Sequence, residues 1–369
     1  MSIGYAFSTK DTVSAAVEEL ATKLAGVGPK AVLYFASPVY DPHTLSAAVQ
    51  TAFGDAVTIG CTTAGEIVSG HMLKHSIVAM AFGADCVEDI AVEVVERVRE
   101  ENRVPAALAN LGKKFGTPMR RMEFEKYVGI ILVDGLSGSE ERLMDTIGDL
   151  TDVRFIGGSA GDDVRFEATY VFVNGRALSD AAVLALIKPS ARFDIIKTQS
   201  FVPTAKQLVA TKVDTATRTV LEFDNMPATK AYAKAVGVEV KDVANSFMQH
   251  PLGLMAGDEP FVRSPQQVKG DSIVFYCNVL EGMSLSILDS TDLIADTRKA
   301  IEDKEKEFGK IAALLNFNCI LRTLELEALG RTEDYGRLFS TIPTVGFSTY
   351  GEQLFGHINQ TATMLVFGK

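Results

Sequence analysis

The sequence predicts an α/β protein of two domains, each with a mixed sheet and helices packed against it. Three observations predict this class. Short apolar runs typical of buried strands alternate with segments of helical periodicity. A strand–helix–strand unit ending in a polar, glycine-rich turn recurs along the chain. The length of 369 residues exceeds the roughly 150 residues of one typical domain, and a composition of 47% hydrophobic and 22% charged residues suffices for real cores.

The first copy of the unit follows a predicted N-terminal helix within residues 1–30. Asp11 or Thr12 caps this helix, and apolar residues recur in it at helical spacing. A continuous apolar run then predicts a buried strand, a helix follows, and a second strand enters the segment IGCTTAGEI. The predicted elements are a strand at 31–37, a helix at about 44–53, the turn segment at 59–67 and a closing strand at 76–82.

The same order recurs twice. In the second copy, VGIILVD predicts a strand and EERLMDTIGDL predicts a helix. The next strand, in DVRFIGGSAGDD, runs into a variant of the turn. Asn174-Gly175 then predicts a tight hairpin. In the third copy AALLNFNCI, LRTLELEALG and TATMLVFG predict strand, helix and closing strand. The turns of the first and third copies align without a gap, and a histidine, His71 or His357, follows each. The two domains are therefore expected to be built from related βαβ–turn–β units.

The chain between the second and third copies has a different composition. It is rich in valine, threonine and phenylalanine, which predicts β-hairpins. A helix is predicted at Ala228–Gly237, and two strands are predicted around Glu281-Gly282. The change predicts a domain boundary near Leu221–Pro227, with one domain over residues 31–222 and a second over residues 223–369.

Composition argues against several classes of partner. The net charge of −11, without a patch of basic residues interleaved with aromatics, disfavours nucleic acid and anionic membranes. The longest apolar runs, such as Ala181–Ile187, are far shorter than the roughly 20 residues of a transmembrane helix. The N-terminus has no signal-peptide pattern. The four cysteines are scattered without a CxxC pair, which favours the reducing cytoplasm.

The residue types of the turns suit a small polar ligand. Glycines bring backbone N–H groups close to a ligand, and hydroxyls both donate and accept. Glutamates bind an ammonium group, and an arginine binds a carboxylate through two parallel bonds. Alternatively, the glycines only make turns that the hydroxyls cap; the repetition favours a shared cleft. The candidate ligand-binding residues are Cys61, Thr62, Thr63, Gly65, Glu66, Gly158, Ser159, Asp162, Arg263, Arg322, Ser348, Thr349 and Glu352.

A second class of function is suggested by GGSAG at residues 157–161. This segment fits the G-x-S-x-G pattern of a hydrolase nucleophile elbow, with Ser159 as the nucleophile and His250 or His357 as the base. A strand precedes it, as that motif requires, but DDVRFEATYVFV predicts a hairpin where a helix should follow. The alternative is a tight glycine turn packed beside the first one, and we expect the protein not to be an enzyme.

Several segments together resemble the FIST family of sensory domains. The N-terminal part of that family is similar to VLYFAS, IGCTTAGEI, GIILVDGLSG and FIGGSAGDD here. The C-terminal part is similar to AKAYAKAVGV, HPLGLMAGDEPFVRSP, FNCILR and VGFSTYGEQ followed by HINQTAT. The resemblance runs from about Ala31 to Phe367, so residues 31–222 resemble the N-terminal, ligand-binding part and residues 223–369 the C-terminal part.

The resemblance implies ligand sensing rather than catalysis. Ligands proposed for the family include amino acids, and some members resemble haem proteins that sense nitric oxide. Members are often fused to histidine kinase, cyclic-di-nucleotide or chemotaxis modules. We see no such module here, so we expect a stand-alone cytoplasmic sensor that signals through a separate histidine kinase, cyclic-di-nucleotide enzyme or chemoreceptor.

A haem-based gas sensor remains the alternative within this family. The five histidines form no HxH or HExxH pattern, which disfavours a metal site built from protein ligands alone. One axial histidine in an apolar pocket is enough to bind haem, and His250 and His357 are the candidates. The other interpretation is a partly buried histidine bonded to a backbone carbonyl.

Overall fold

A computed structural model describes residues 1–369. The chain divides into two compact units, which we describe separately. Unit 1 consists of residues 1–197, 298–357 and 362–369, and unit 2 of residues 198–297 and 358–361. None of the helices contains a stretch that is long and apolar enough to cross a membrane.

Unit 1 is built from three copies of one structural repeat. Each copy runs strand, helix, strand, helix, strand, polar turn, two-stranded hairpin and return strand. Repeat 1 comprises β1 (Ile3–Ser8), α1 (Val13–Leu24), β2 (Pro29–Ala36), α2 (Pro42–Phe53), β3 (Val57–Thr62), β4 (Glu66–Val68), β5 (His71–Leu73) and β6 (Ile77–Gly83). Repeat 2 comprises β7 (Val87–Glu96), α3 (Val104–Lys114), β8 (Val128–Val133), α4 (Glu140–Leu150), β9 (Phe155–Ser159), β10 (Val171–Val173), β11 (Arg176–Leu178) and β12 (Ala181–Pro189). Repeat 3 begins with β13 (Phe193–Gln199).

Unit 2 is inserted into repeat 3 after this first strand. Its strands form an antiparallel sheet, and its apolar core contains Phe223, Tyr232 and Phe275. The elements are β14 (Phe201–Asp214), β15 (Thr219–Phe223), β16 (Met226–Pro227), α5 (Ala228–Val236), α6 (Val243–Ser246), β17 (Leu252–Ala256), β18 (Glu259–Arg263), β19 (Pro265–Lys269), β20 (Ser272–Phe275) and β21 (Ser284–Ser290).

Repeat 3 then resumes. Its second helix position is filled by two short helices rather than one. The elements are α7 (Leu293–Phe308), β22 (Ile311–Cys319), α8 (Ile320–Ala328), α9 (Thr332–Arg337), β23 (Thr344–Thr349), β24 (Glu352–Gln353), β25 (His357–Ile358) and β26 (Thr361–Gly368).

The three repeats of unit 1 exchange their hairpins in a closed cycle. The sheet orders are β1-β6-β2-β3-β10-β11, β7-β12-β8-β9-β24-β25 and β13-β26-β22-β23-β4-β5. The hairpin of repeat 1 thus completes the sheet of repeat 3, that of repeat 3 completes the sheet of repeat 2, and that of repeat 2 completes the sheet of repeat 1. No sheet is complete within its own repeat, so the three sheets depend on one another.

One glycine per repeat reveals the internal symmetry at the level of single residues. Each sheet has a parallel central pair, and a glycine occupies the same register position on its second strand. The three positions are Gly60, Gly157 and Gly346. A Cβ atom there would lie 1.9, 1.7 and 2.0 Å from a carbonyl oxygen of the neighbouring strand. Only glycine allows this approach of two backbones, which explains why it recurs in all three turn segments.

The helices cover the sheets through apolar faces that their periodicity predicts. In repeat 1, Leu20 of α1 and Leu45 and Val49 of α2 are fully buried against the sheet. In repeat 2, Leu108 and Leu111 of α3 pack with residues of α4. Each leucine buried in this way contributes about 1.5–3 kcal/mol.

The mixed α/β class predicted from the sequence is confirmed, and so are its main strands and helices. Thr12 caps α1, because its Oγ1 accepts a bond from the N–H of Ala15. The prediction that the chain opens with a helix is wrong, since β1 precedes α1 and pairs with β6. This edge strand buries only Ala6 and Ser8, so it lacks the continuous apolar run that reveals a buried strand. All three related units lie in unit 1.

Candidate functional site

The polar turns of the three repeats meet at one place in unit 1. Turn 1 is residues 63–65, turn 2 is residues 160–170 and turn 3 is residues 350–351, each between a central strand and a hairpin. A cycle of backbone hydrogen bonds joins them. The three bonds run from the N–H of Ala64 to the carbonyl of Ser348 at 3.1 Å, from Gly161 to Thr62 at 2.9 Å and from Tyr350 to Ser159 at 3.2 Å. The turns singled out by the sequence therefore converge, and we call this junction the turn ring.

The side chains of the turn ring are buried and bond to one another. The hydroxyl of Thr63 donates to Glu66, and Ser76 donates to Glu66 Oε2 from its N–H at 3.1 Å and its hydroxyl at 2.6 Å. Thr349 Oγ1 lies 2.8 Å from the carbonyl oxygens of both Ser159 and Gly351. The turns therefore pack against one another where the sequence predicts a cleft.

Burial in the turn ring also changes the charge state of Glu66. Burial raises the pKa of Glu66 to about 8, although bonds from Ser76 and Thr63 lower it, and the nearby Asp163 carboxylate raises it further. The carboxyl is therefore mainly neutral at pH 7. In the structure Glu66 is a buried member of the turn ring, bonded to Thr63 and Ser76.

Turn 2 is longer than its two counterparts, and Asp162 organises it. The Asp162 carboxylate accepts bonds from the N–H groups of Phe166 at 2.9 Å, Glu167 at 2.6 Å and Ala168 at 3.0 Å. It also accepts a bond from the hydroxyl of Tyr350 in turn 3. Burial acts to raise the pKa of Asp162, but these bonds outweigh it and lower the pKa below its ordinary value. Asp162 is therefore ionised and holds the longer turn in place.

Three residues of this turn have left-handed backbone. The φ angles are 56° at Asp163, 62° at Val164 and 56° at Phe166. A β-branched residue such as valine is a true outlier in this region, at a cost of about 1–3 kcal/mol. Val164 and Phe166 are also exposed. The turn is thus a strained surface segment, and the hydrogen bonds to Asp162 compensate the cost of its backbone conformation.

A small pocket lies between turn 2 and the segment that follows β2. Its volume is about 160 Å³. Two of the predicted site residues, Thr62 and Asp162, line it. The remaining lining residues are Pro38, Tyr40, Pro42, Arg165, Glu167, Ala168 and Tyr170.

The pocket combines apolar walls with one free cation and one free anion. Arg165 Nε donates to the Asp162 carbonyl at 3.1 Å, but its terminal amino groups bond to no residue of the chain. The Glu167 carboxylate likewise has no hydrogen-bond or ion-pair partner. The hydroxyl of Tyr40 donates to the carbonyl of Lys10 at 2.6 Å, so Tyr40 contributes its ring to the wall of the pocket. This arrangement suits a small ligand with groups of both charges.

The other predicted arginines lie elsewhere. Arg322 is fully buried under turn 3, where its Nε donates to Asn318 Oδ1 at 2.9 Å. Thr323 connects this network to the ring through a 2.7 Å contact with the hydroxyl of Ser348. Arg263 belongs to unit 2, and its Nη1 lies 3.3 Å from the carbonyl oxygen of Val262 in its own strand.

The remaining candidates are buried residues or glycines at close backbone approaches and turns. Cys61 is fully buried within β3, and burial raises the pKa of its thiol, which keeps it protonated. A Cβ at Gly158 would lie 2.6 Å from Thr349 Oγ1, so this glycine allows β9 to approach turn 3. Gly65 has φ of 126°, which only glycine adopts easily. The buried carboxylate of Glu352 starts β24 beside Gly158.

Ser159 is fully buried at the end of β9. Its hydroxyl donates to Glu140 Oε1 at 3.3 Å and accepts from Gln353 Nε2 at 3.0 Å. His357 Nδ1 lies 3.3 Å from the same Gln353 nitrogen, one step away from the serine. A loop rather than a helix follows the strand. The direct contact between serine and histidine that a hydrolase triad needs is therefore not made here.

The two candidate haem ligands have different surroundings. His357 is buried against Gly351, where a Cβ would lie 2.1 Å from the imidazole ring, so no space for a porphyrin exists on that side. His250 belongs to unit 2 and is partly exposed, and its Nδ1 lies 3.0 Å from the Asp289 carboxylate. Neither lines the pocket described above.

The residues that shape the pocket are mostly not among those predicted from the sequence. The sequence predicts no role for Tyr350, Arg165, Glu167, Tyr40 or Tyr170, which the structure places at or beside the pocket. One signal was available. The middle turn carries DDVRFEA before its hairpin, and the other two turns have no equivalent segment. The hairpin predicted there begins only at Val171.

Comparisons with known proteins identify the relatives of this chain. Residues 30–226 match the family model of the FIST N domain, and residues 228–354 match that of the FIST C domain. The chain is also 24% identical, over 273 residues, to the uncharacterized protein MJ1623 of Methanocaldococcus jannaschii. This match covers 67% of the chain but 51% of the relative, so the chain spans about half the length of the curated relative it matches.

Proposed function

The chain belongs to the FIST family, whose domains are sensory domains of signalling proteins, and we propose that it senses a small zwitterionic metabolite of amino-acid size. The proposed site is the pocket beside turn 2, not the interior of the turn ring. The Arg165 guanidinium would bind the carboxylate of the ligand, and the Glu167 carboxylate would bind its ammonium group.

One observation carries this proposal. Turn 2, residues 160–170, is much longer than turn 1, residues 63–65, or turn 3, residues 350–351, and the additional residues form the wall of the pocket. The three repeats otherwise share one plan. A segment that breaks an internal symmetry, carries strained backbone and presents unpaired charges is typical of a functional loop.

The size of the pocket limits the ligand. The volume of the pocket is about 160 Å³. This is below the range of about 300–1,000 Å³ of pockets for drug-sized ligands. The proposed ligand is therefore a single small metabolite such as an amino acid. The signal would pass to a separate protein, such as a histidine kinase, a cyclic-di-nucleotide enzyme or a chemoreceptor, in the cytoplasm.

A thermal-shift screen against the amino acids tests the proposal. A ligand at one hundred times its dissociation constant stabilises the folded state by about 2.7 kcal/mol. We expect one amino acid or a few related ones to raise the melting temperature, and Arg165→Ala and Glu167→Ala to abolish the shift. Arg103→Ala is the matched control, because this exposed arginine lies outside the pocket. If both pocket variants still showed the rise in melting temperature, the proposed site would be refuted.

A further inference from the structure

A second segment also breaks the symmetry of unit 1. The connection between the first helix and the central strand is residues 25–28 in repeat 1 and residues 309–310 in repeat 3. In repeat 2 it is residues 115–127, with a single turn of 3₁₀-helix at Met119–Arg121. This longer connection folds back beside α3, and the two segments form a groove. The other repeats lack a connection long enough to form one.

The groove is large, apolar and open at the surface. Its volume is about 630 Å³. Buried Leu108 and Met119 and half-buried Leu150 form its floor, and exposed Pro105 lies on its rim. Six of the eleven lining residues are themselves exposed. A small apolar molecule would therefore remain largely in water, whereas the side chains of a helix laid across the groove would reach the floor.

The rim of the groove is basic in an acidic protein. Residues 103–121 contain five basic residues and no acidic one, although the whole chain has 47 acidic and 36 basic residues. Lys113 and Arg120 line the groove directly. Lys113 makes no ion pair, and Arg120 donates to the carbonyl of Asp149 at 2.8 Å. The floor thus selects apolar side chains and the rim selects carboxylates.

We infer that this groove docks an amphipathic helix of a partner protein, with apolar residues at i, i+3 or i+4 and i+7 on one face and acidic residues beside them. The apolar residues would contact Leu108, Met119 and Leu150, and the acidic residues would pair with Lys113 and Arg120. This surface is distinct from the ligand pocket, so the inference holds whether or not that pocket binds an amino acid.

Selection from a displayed peptide library tests the inference on the full chain. The library contains 20-residue helical peptides with randomised apolar positions and either glutamate or lysine at the flanking positions. We expect the enriched peptides to carry glutamate at the flanking positions. Their affinity should fall at least tenfold for Ala109→Trp, which fills the groove, and for Lys113→Glu, which reverses the charge of the rim. Ala106→Trp is the matched control, because Ala106 is exposed on the same helix but does not line the groove.

Several results would overturn the inference. These are enrichment of lysine-flanked peptides, equal binding to Ala109→Trp and wild type, and failure of the library to yield any binder. Palmitate that binds the wild type and competes with the peptides would assign the groove to a small apolar anion instead. Concentration-dependent dimerisation that Ala109→Trp abolishes would assign it to a second copy of the chain. Circular dichroism of each variant verifies that it folds.

Discussion

The hydroxyl of Tyr350 in turn 3 donates to the carboxylate of Asp162 in turn 2 and accepts bonds from the N–H groups of Asp162, at 3.2 Å, and Val164, at 2.8 Å. One side chain from repeat 3 therefore bonds to turn 2 on both sides of the left-handed Asp163. The Phe166 ring adds to this link, since it stacks on the Tyr350 ring at 5.0 Å. The pocket wall depends on a contact between repeats.

Tyr350→Phe should loosen turn 2 without disturbing the fold. The variant keeps the ring but leaves two N–H groups and the Asp162 carboxylate without their shared partner, which costs about 1–3 kcal/mol. Amide hydrogen exchange should rise at residues 163–168 in particular. Tyr5→Phe is the control, because Tyr5 is exposed and its loss should change the unfolding free energy by less than about 0.5 kcal/mol. Unchanged exchange in turn 2 would show that Tyr350 does not hold it.

Glu66 should make stability depend on pH in a defined direction. Its pKa is about 8 in the folded chain, against an ordinary value of 4.5 that we take for the unfolded chain. Between these values the folded chain holds a proton that the unfolded chain releases. The unfolding free energy contributed by Glu66 is therefore fully present below about pH 4.5 and is lost as the pH rises through 8.

Glu66→Gln isolates this contribution, because the amide resembles the neutral carboxyl and can still accept from Ser76. We expect urea unfolding of the wild type to become easier from pH 5 to pH 8, by at most about 1.4 kcal/mol per unit from this one group. The difference between wild type and Glu66→Gln should grow with pH in the same window. A difference that is constant over the window would mean that Glu66 is ionised in the folded chain.

Asn318 should be the most sensitive position of the buried network under turn 3. Its Oδ1 accepts from Arg322 Nε at 2.9 Å and from the Tyr335 hydroxyl at 3.0 Å. Arg322 is 2% exposed, so water cannot replace the lost acceptor. Asn318→Ala should cost about 3 kcal/mol, as expected for a bond to a buried charge. Chemical denaturation measures this, with the exposed Asn110→Ala as control; equal effects of the two would contradict the role of Asn318.

The sequence predicted the repeated unit well because its signals are local. Apolar runs, helical periodicity and the Asn174-Gly175 hairpin each act within a few residues. The gap-free alignment of the first and third turns reflects real structural equivalence, since Gly60 and Gly346 have the same register in their sheets.

The exchange of hairpins between repeats was not predictable from the same signals. Strand β4 follows β3 in the chain but pairs with β23, more than 250 residues away, and no local pattern specifies that partner. The burial of most predicted site residues was not predictable for a related reason. Residue types that suit a ligand suit a packed polar junction equally well, and only burial distinguishes them. The proposed ligand pocket depends on the length of turn 2, which is a difference between the repeats rather than a residue pattern.

Gly161 and Gly148 provide a last test of the turn ring. A Cβ at Gly161 would lie 2.7 Å from the backbone nitrogen of Ala64 and 2.9 Å from the carbonyl carbon of Thr63. Neither atom can move without opening the ring, so Gly161→Ala should cost about 3 kcal/mol or prevent folding. Gly148 lies within α4, and apart from its chain neighbours and the backbone of that helix no atom lies within 4 Å of its Cβ position, so Gly148→Ala should stabilise the chain by about 0.5–1 kcal/mol. Urea unfolding of both variants measures the contrast. If Gly161→Ala were as stable as the wild type, the close contact between turns 1 and 2 would be contradicted. The backbone bond from Gly161 to Thr62 depends on that contact.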